Sequence, residues 1–148
     1  MDPNLEITDL GNTKFFLGID IIRNRKERTL KLTQKGYIER LIKEFTYPGD
    51  KGIKNPCQIG IKLLPNPDKA SKKDIKFYQK SIGSLIYLMI AIRPDLAYPV
   101  TLLFRFITNP NQDHLNALSR IWKYFILISE KGLVYQLNID LIIYCNFN

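Results

Sequence analysis

Histidine and cysteine are almost missing from this chain. His114 is the lone histidine, and Cys57 and Cys145 are the two cysteines, in 148 residues. That leaves too few ligands for a metal cluster and too few thiols for a disulfide framework. No serine–histidine or cysteine–histidine pair is placed by the spacing, and no glycine-rich phosphate loop occurs. The 14 Asp and Glu residues are scattered, with no Asp-Asp and no Asp-x-Asp. A two-metal centre needs converging carboxylates, so none is legible. Long apolar runs are also lacking. LIYLMIAI, residues 85–92, rises about 12 Å as a helix, against about 30 Å for a bilayer core. MDPNLEITDLGN has neither a basic start nor an apolar stretch, so no signal peptide is expected. A membrane partner is not expected either.

What the chain does have is positive charge, unevenly placed. Residues 1–80 hold 17 Lys and Arg against 10 Asp and Glu, a net of +7, while residues 81–148 are near neutral at +1. A basic front half can face a polyanion, or it can simply be a solvated surface.

Hydrophobic periodicity gives the order of elements. Residues 14–33, KFFLGIDIIRNRKERTLKLT, read as a β-hairpin. Phe15, Leu17, Ile19 and Ile21 alternate on one face, and Leu30 and Leu32 return on the second strand. Gly18 interrupts the first strand, which marks a bulge or a close backbone approach. A helix follows, capped by Thr33, with Tyr37, Ile38, Leu41, Ile42 and Phe45 as its apolar stripe. Glu39–Lys43 and Arg40–Glu44 are spaced to pair on its outer side. Residues 48–72 are rich in Pro, Gly, Lys and Asn and read as a linker.

A second helix runs from about Lys73 to Ile92 and is apolar on most sides. Its small residues Ser81, Gly83 and Ser84 would admit a close neighbour. Arg93-Pro94-Asp95 ends it and starts a third helix, which Pro99 kinks or delays. Asp95 reads as a capping or dipole residue. A fourth helix carries Leu115, Leu118, Ile121, Trp122, Phe125 and Ile128. His114, in its first turn, reads as a surface or capping residue. Two short strands, near 133–137 and 139–145, are expected as a tight hairpin. The fold class is therefore α+β and mainly helical. Four segments are expected: 1–47, 48–72, 73–130 and 131–148.

The basic hairpin gathers Lys14, Arg23, Arg25, Lys26, Arg28 and Lys31 in one small unit. Phe15 and Phe16 lie beside Gly18. Cations with neighbouring aromatics suit a nucleic-acid strand; a half-buried hairpin with a solvated basic turn accounts for the same residues.

Several blocks carry a family resemblance. DLGNTKFFLGIDI, residues 9–21, and LKLTQKGYIERLIKEF, residues 30–45, resemble copia-type retrotransposon reverse transcriptases. So do Tyr78, Gly83-Ser84-Leu85, Tyr87-Leu88, Arg93-Pro94-Asp95, Ala97-Tyr98, Arg105-Phe106, Pro110, His114, Tyr124 and Gly132-Leu133-Val134-Tyr135. The resemblance spans nearly the whole chain. It implies the C-terminal part of the polymerase region of a Pol polyprotein. Residues 1–47 would be a palm-end hairpin and a thumb-like helix, 73–130 a thumb or connection segment, and 131–148 the start of a ribonuclease H-like sheet.

Phe16, Leu17 and Gly18 would then act like a primer grip. Lys31 and helix 34–45 would face template–primer backbone, an RNA/DNA hybrid or duplex. The Mg²⁺-binding Tyr-x-Asp-Asp of such a palm is expected before residue 1. Asn146 stands where the first ribonuclease H aspartate is expected, and an amide is a poorer ligand for a hard cation. The resemblance thus implies no catalytic or metal-binding residue and no cofactor in this chain. It also implies a missing palm as a protein partner; where in the cell the chain works is left open, cytoplasm or nucleus. Departures from the pattern include Ile59-Gly60, Pro99 and Phe104.

Overall fold

The structure, a computed structural model, describes residues 11–58 and 60–136. It is α+β: an antiparallel four-stranded sheet beside a group of four α-helices. The strands are β1 (Phe15–Phe16), β2 (Ile19–Asn24), β3 (Thr29–Thr33) and β4 (Leu133–Gln136), in spatial order β1-β2-β3-β4. The helices are α1 (Lys35–Phe45), α2 (Lys72–Ala91), α3 (Ala97–Phe104) and α4 (Gln112–Ile128).

The first strand expected from alternation is in fact two. Phe16 pairs with Ile19, and Leu17-Gly18 make the two-residue turn between them. Both turn residues have positive φ, 47° and 75°, as a type I′ turn requires. The turn, not a bulge, is why glycine sits here. It also breaks the expected run from Phe15 to Ile21, and Phe15, Phe16 and Leu17 end up exposed.

The second turn, Arg25–Arg28, is closed by Asn24. Its Oδ1 accepts from the backbone N–H of Lys26 and of Glu27, at 3.1 and 3.2 Å, an Asx turn. Arg28 completes it with φ 50°.

The last strand goes elsewhere than its expected hairpin mate. Leu133–Gln136 pairs antiparallel with β3, Leu32 opposite Leu133 and Thr29 opposite Gln136. Gly132 makes that approach work. A Cβ there would run into the Leu32 carbonyl oxygen. The expected strand at 139–145 lies outside the described residues.

The hydrophobic core belongs to the helices. Ile38, Leu41 and Phe45 of α1 meet Tyr78, Ile82, Leu85 and Leu88 of α2 and Leu118, Ile121, Trp122 and Phe125 of α4, with Leu96, Val100 and Leu103 closing the group. Phe45 stacks on Trp122 at 4.8 Å between centroids. Trp122 Nε1 donates to Ser81 Oγ at 2.6 Å, so Ser81 is the small residue that admits a neighbour. A Cβ on Gly83 would touch nothing. Although apolar on most sides, α2 is buried mainly on the side of Tyr78, Ile82, Leu85 and Leu88, with Ile90 75% exposed and Tyr87 40%.

Local chemistry sets the helix ends. Ser71 caps α2 by accepting from the Asp74 N–H at 3.0 Å. A single 3₁₀ turn over Pro94–Leu96 precedes α3, which places Pro99 in its first turn, where no intrahelical N–H is needed. That helix stops at Phe104. The 48–72 segment is held along α4 and its N-terminal turn. Asp50 pairs with Lys123 at 2.8 Å, and Asn109 Oδ1 accepts from the Ala70 N–H at 2.9 Å. The expected outer pairs of α1 are replaced by Lys35 with Glu39, at 4.0 Å, and by Lys80 with Glu44.

Candidate nucleic-acid interface

The meander β1–β3 divides the basic residues into groups. Lys14, Arg23 and Arg25 meet around one hollow of about 660 Å³, together with Lys35 from the start of α1. Asp20 is the acid in its lining, beside Asn12, Thr13 and Thr33. The hollow runs along the outer edge of β2, where the strand entering β1 is tied back: the Ile21 N–H donates to the Lys14 carbonyl at 2.8 Å. Arg25 is oriented by a 3.0 Å bond from its guanidinium to Asn12 Oδ1. Lys35 is paired with Glu130, which holds the lysine above its ordinary pKa and is itself held below the usual carboxylate range. Lys14 and Arg23 have no side-chain partner among the described residues.

Lys26 and Arg28 are exposed in the four-residue turn beyond this hollow. Lys31 stands on the opposite face of the sheet from Arg23. It pairs with Ile22 on one side and Val134 on the other, and side chains directly opposite share a face. Phe16, Leu17 and Gly18 lie at the other turn. That turn is held to α2 by Tyr87, whose hydroxyl donates to the Leu17 carbonyl at 2.5 Å and would sit 2.9 Å from a Cβ on Gly18. Tyr87 is steadied in turn by Tyr37, edge-on at 5.4 Å. The expected site residues therefore form a basic hollow, a basic turn and an apolar turn, rather than one surface.

Lys35 and Tyr87 belong to this region and were not singled out as site residues from the sequence. Lys35 could have been found, since it directly follows the strand that carries Lys31. Tyr87 could not, because its 70-residue separation from Leu17 becomes a contact only in the fold.

The Arg-Pro-Asp block is a clamp. Arg93 is 3% exposed. Its guanidinium makes a fork with Asp95 at 2.9 and 2.6 Å and lies over the Phe125 ring at 4.7 Å. Tyr124 donates to the same carboxylate at 3.1 Å. Burial pushes Asp95 up, and Arg93 and Tyr124 outweigh it, so its pKa lies below the ordinary range. This is a structural bond, stronger than the dipole role expected for Asp95. His114 is also structural. It is fully buried, and its Nδ1 accepts from the Asn111 N–H at 2.9 Å in a reciprocal capping box. That is the capping role expected of it; a surface position is ruled out.

Among the described residues, no three His, Cys, Asp or Glu side chains sit close enough to hold a metal ion. No helix among them is long and apolar enough to cross a membrane. Asn146 lies outside the described residues.

The fold and this edge define an α+β module that presents clustered cations on an antiparallel sheet. Sequence comparison then gives its relatives: retrotransposon Pol polyproteins, at about 30% identity over most of the chain. The chain is 32% identical over 129 residues to the retrovirus-related Pol polyprotein from transposon TNT 1-94 of Nicotiana tabacum, covering 84% of this chain and 10% of that one. It is 31% identical over 140 residues to the Pol polyprotein from transposon RE2 of Arabidopsis thaliana, covering 90% and 9%. Identity to a transposon Ty5-1 protein of Saccharomyces cerevisiae is 30%, over 93% of this chain and 45% of that one. The chain thus spans less than half the length of these relatives. No family model and no solved structure matches it.

Proposed function

We propose that this chain is a transposon-derived segment from the C-terminal part of a reverse transcriptase, and that its role is to hold template–primer nucleic acid rather than to perform chemistry. The observation that carries this reading is the hollow where Lys14, Arg23 and Arg25 converge with one opposing carboxylate in the lining. Three or four cations at one edge match a phosphate backbone, whose charge dominates non-sequence-specific affinity. Exposed Phe15 and Phe16 on the neighbouring strand offer rings for stacking on unpaired bases. The Leu17-Gly18 turn, pinned by Tyr87, is a rigid ledge of the kind a primer end needs, with Leu17 71% exposed.

Among the described residues no three His, Cys, Asp or Glu side chains are grouped to hold a metal ion, and the proposed role is binding, with no catalytic step derived. In this reading a catalytic palm would be contributed by another segment or chain. Binding of an RNA/DNA hybrid, titrated against salt, tests the reading. Affinity should fall steeply with salt, and Arg23→Ala with Arg25→Ala should flatten that fall. Primer extension on a poly-rA template with Mg²⁺ or Mn²⁺ should give no product; detectable extension would overturn the non-catalytic assignment.

A further inference from the structure

Residues 1–10, MDPNLEITDL, carry Asp2, Glu6 and Asp9 and no lysine or arginine. In a chain of net charge +8 that is a local excess of acid. These ten residues lie outside the described ones, but the point where they join the fold is fixed. Asn12, Thr13 and Lys14 follow closely and form one wall of the basic hollow. Their partners also set a direction. Going back along the chain, Phe16 pairs with Ile19 and Phe15 with Asp20; the Lys14 carbonyl accepts from Ile21, and Asn12 accepts from Arg25. Partner numbers rise along β2 as they fall on the entering chain, as in an antiparallel ladder. The acidic segment is therefore joined at the Arg25 end of β2, beside the turn that holds Lys26 and Arg28. No described strand pairs with the outer edge of β2 at Arg23 and Asn24, so that edge is open.

We propose that residues 1–10 are a built-in competitor for the basic hollow. Asp9 and Glu6 would lie against Arg23, Arg25 and Lys26 in the free protein, and a phosphate backbone would displace them. Reach is ample: Asp9 is three residues from Asn12, at most about 11 Å of chain, and Glu6 six residues, about 22 Å. The charges are complementary. Three acids and no cation on the segment meet Lys14, Arg23 and Arg25, of which Lys14 and Arg23 have no side-chain partner among the described residues. Exposed ion pairs are individually weak, but covalent attachment beside the site gives the segment a high effective concentration that a separate acidic partner lacks. The contact stands on this geometry and charge; its consequence, a lowered affinity for nucleic acid, rests on the nucleic-acid reading.

The test compares two variants of the full chain that remove equal charge. Glu6→Gln with Asp9→Asn neutralises the segment. Asp68→Asn with Asp113→Asn neutralises two exposed acids near the start of α4, whose other end adjoins the Glu130 that pairs with Lys35. Without nucleic acid and at low salt, the guanidinium N–H resonances of Arg23 and Arg25 should move in the first variant and stay in the second. Resonances that stay in both would overturn the proposal. A movement that depends on protein concentration would assign the segment to a second copy and overturn the contact within one chain. With an RNA/DNA hybrid at low salt, the first variant should bind about fivefold tighter than wild type. The second should gain clearly less, and the difference should fade as salt rises. Equal gains would mean that overall charge alone is at work and would overturn the competition. Moved resonances with no hybrid binding by any of the three proteins would keep the contact and remove the nucleic-acid reading.

Discussion

Single residues carry more of this structure than their chemistry advertises. Gly132 has no unusual φ, yet its missing side chain lets β4 reach β3. Gly132→Ala should cost about 1–3 kcal/mol by forced overpacking, read as a lower urea midpoint, with Leu133–Gln136 amides losing protection from exchange first. A midpoint equal to wild type would mean that β4 is not docked in this way. Asp95 is the second case. Asp95→Ala leaves Arg93 buried and unpaired, and should cost about 1–3 kcal/mol once solvent at the partly exposed carboxylate is allowed for. The sign with pH follows from its lowered pKa. Its stabilisation is full above the ordinary carboxylate range and is lost as the pH falls through and below it. The acid limb of a melting-temperature profile should therefore be shallower in the alanine variant. Asp95 does stand at a helix start, in the 3₁₀ turn; what the sequence did not show is its fork with Arg93, because only that turn folds the two together.

At the scale of elements, stripes were legible while caps and edges were not. Leu118, Ile121, Trp122 and Phe125 of α4 are buried as their periodicity predicts, whereas the Ser71 and Asn111 caps were not singled out. The hairpin misled because FFLGID alternates well enough to pass for one strand. Only the positive φ of Leu17 and Gly18 shows the turn. Thr33 misled as a cap because the N-cap position falls one residue later, on Gln34. The start of α4 gives a prediction of its own. Burial lowers the His114 pKa, partly opposed by Asp113. Stability from the neutral ring is thus full above the ordinary histidine value and falls as the solution becomes more acidic. Between neutral pH and about pH 5 the wild-type chain should lose stability that a His114→Gln variant does not lose. Parallel pH dependence in the two would contradict the burial of a neutral ring. At the sheet end, Tyr87→Phe removes the hydroxyl that holds the Leu17 carbonyl. It should loosen the first turn, seen as faster exchange at Gly18 and Ile19, with little change in global stability.

For the whole molecule, the division is between a helical group that holds the core and a sheet that holds the charge. Ile19, Ile21, Leu30 and Leu32 are only half-buried, while the fully buried side chains belong to the helical segments. The uneven charge of the sequence, +7 against +1, follows this division only in part, because α1 and the first half of α2 lie in the basic half. The sequence does not show that β4 returns across 100 residues to join the N-terminal strands, because antiparallel partners are chosen by packing rather than by local pattern. That return places the basic hairpin on a finished sheet and gives its cations a fixed geometry. The central claim is that this geometry binds a nucleic-acid backbone. It is tested most directly by the salt dependence of RNA/DNA hybrid binding, wild type beside Arg23→Ala/Arg25→Ala. The account predicts a log–log slope of about −3 for the wild type and a slope shallower by about 1–2 in the variant. A flat wild-type response, or a slope untouched by the two substitutions, would contradict it.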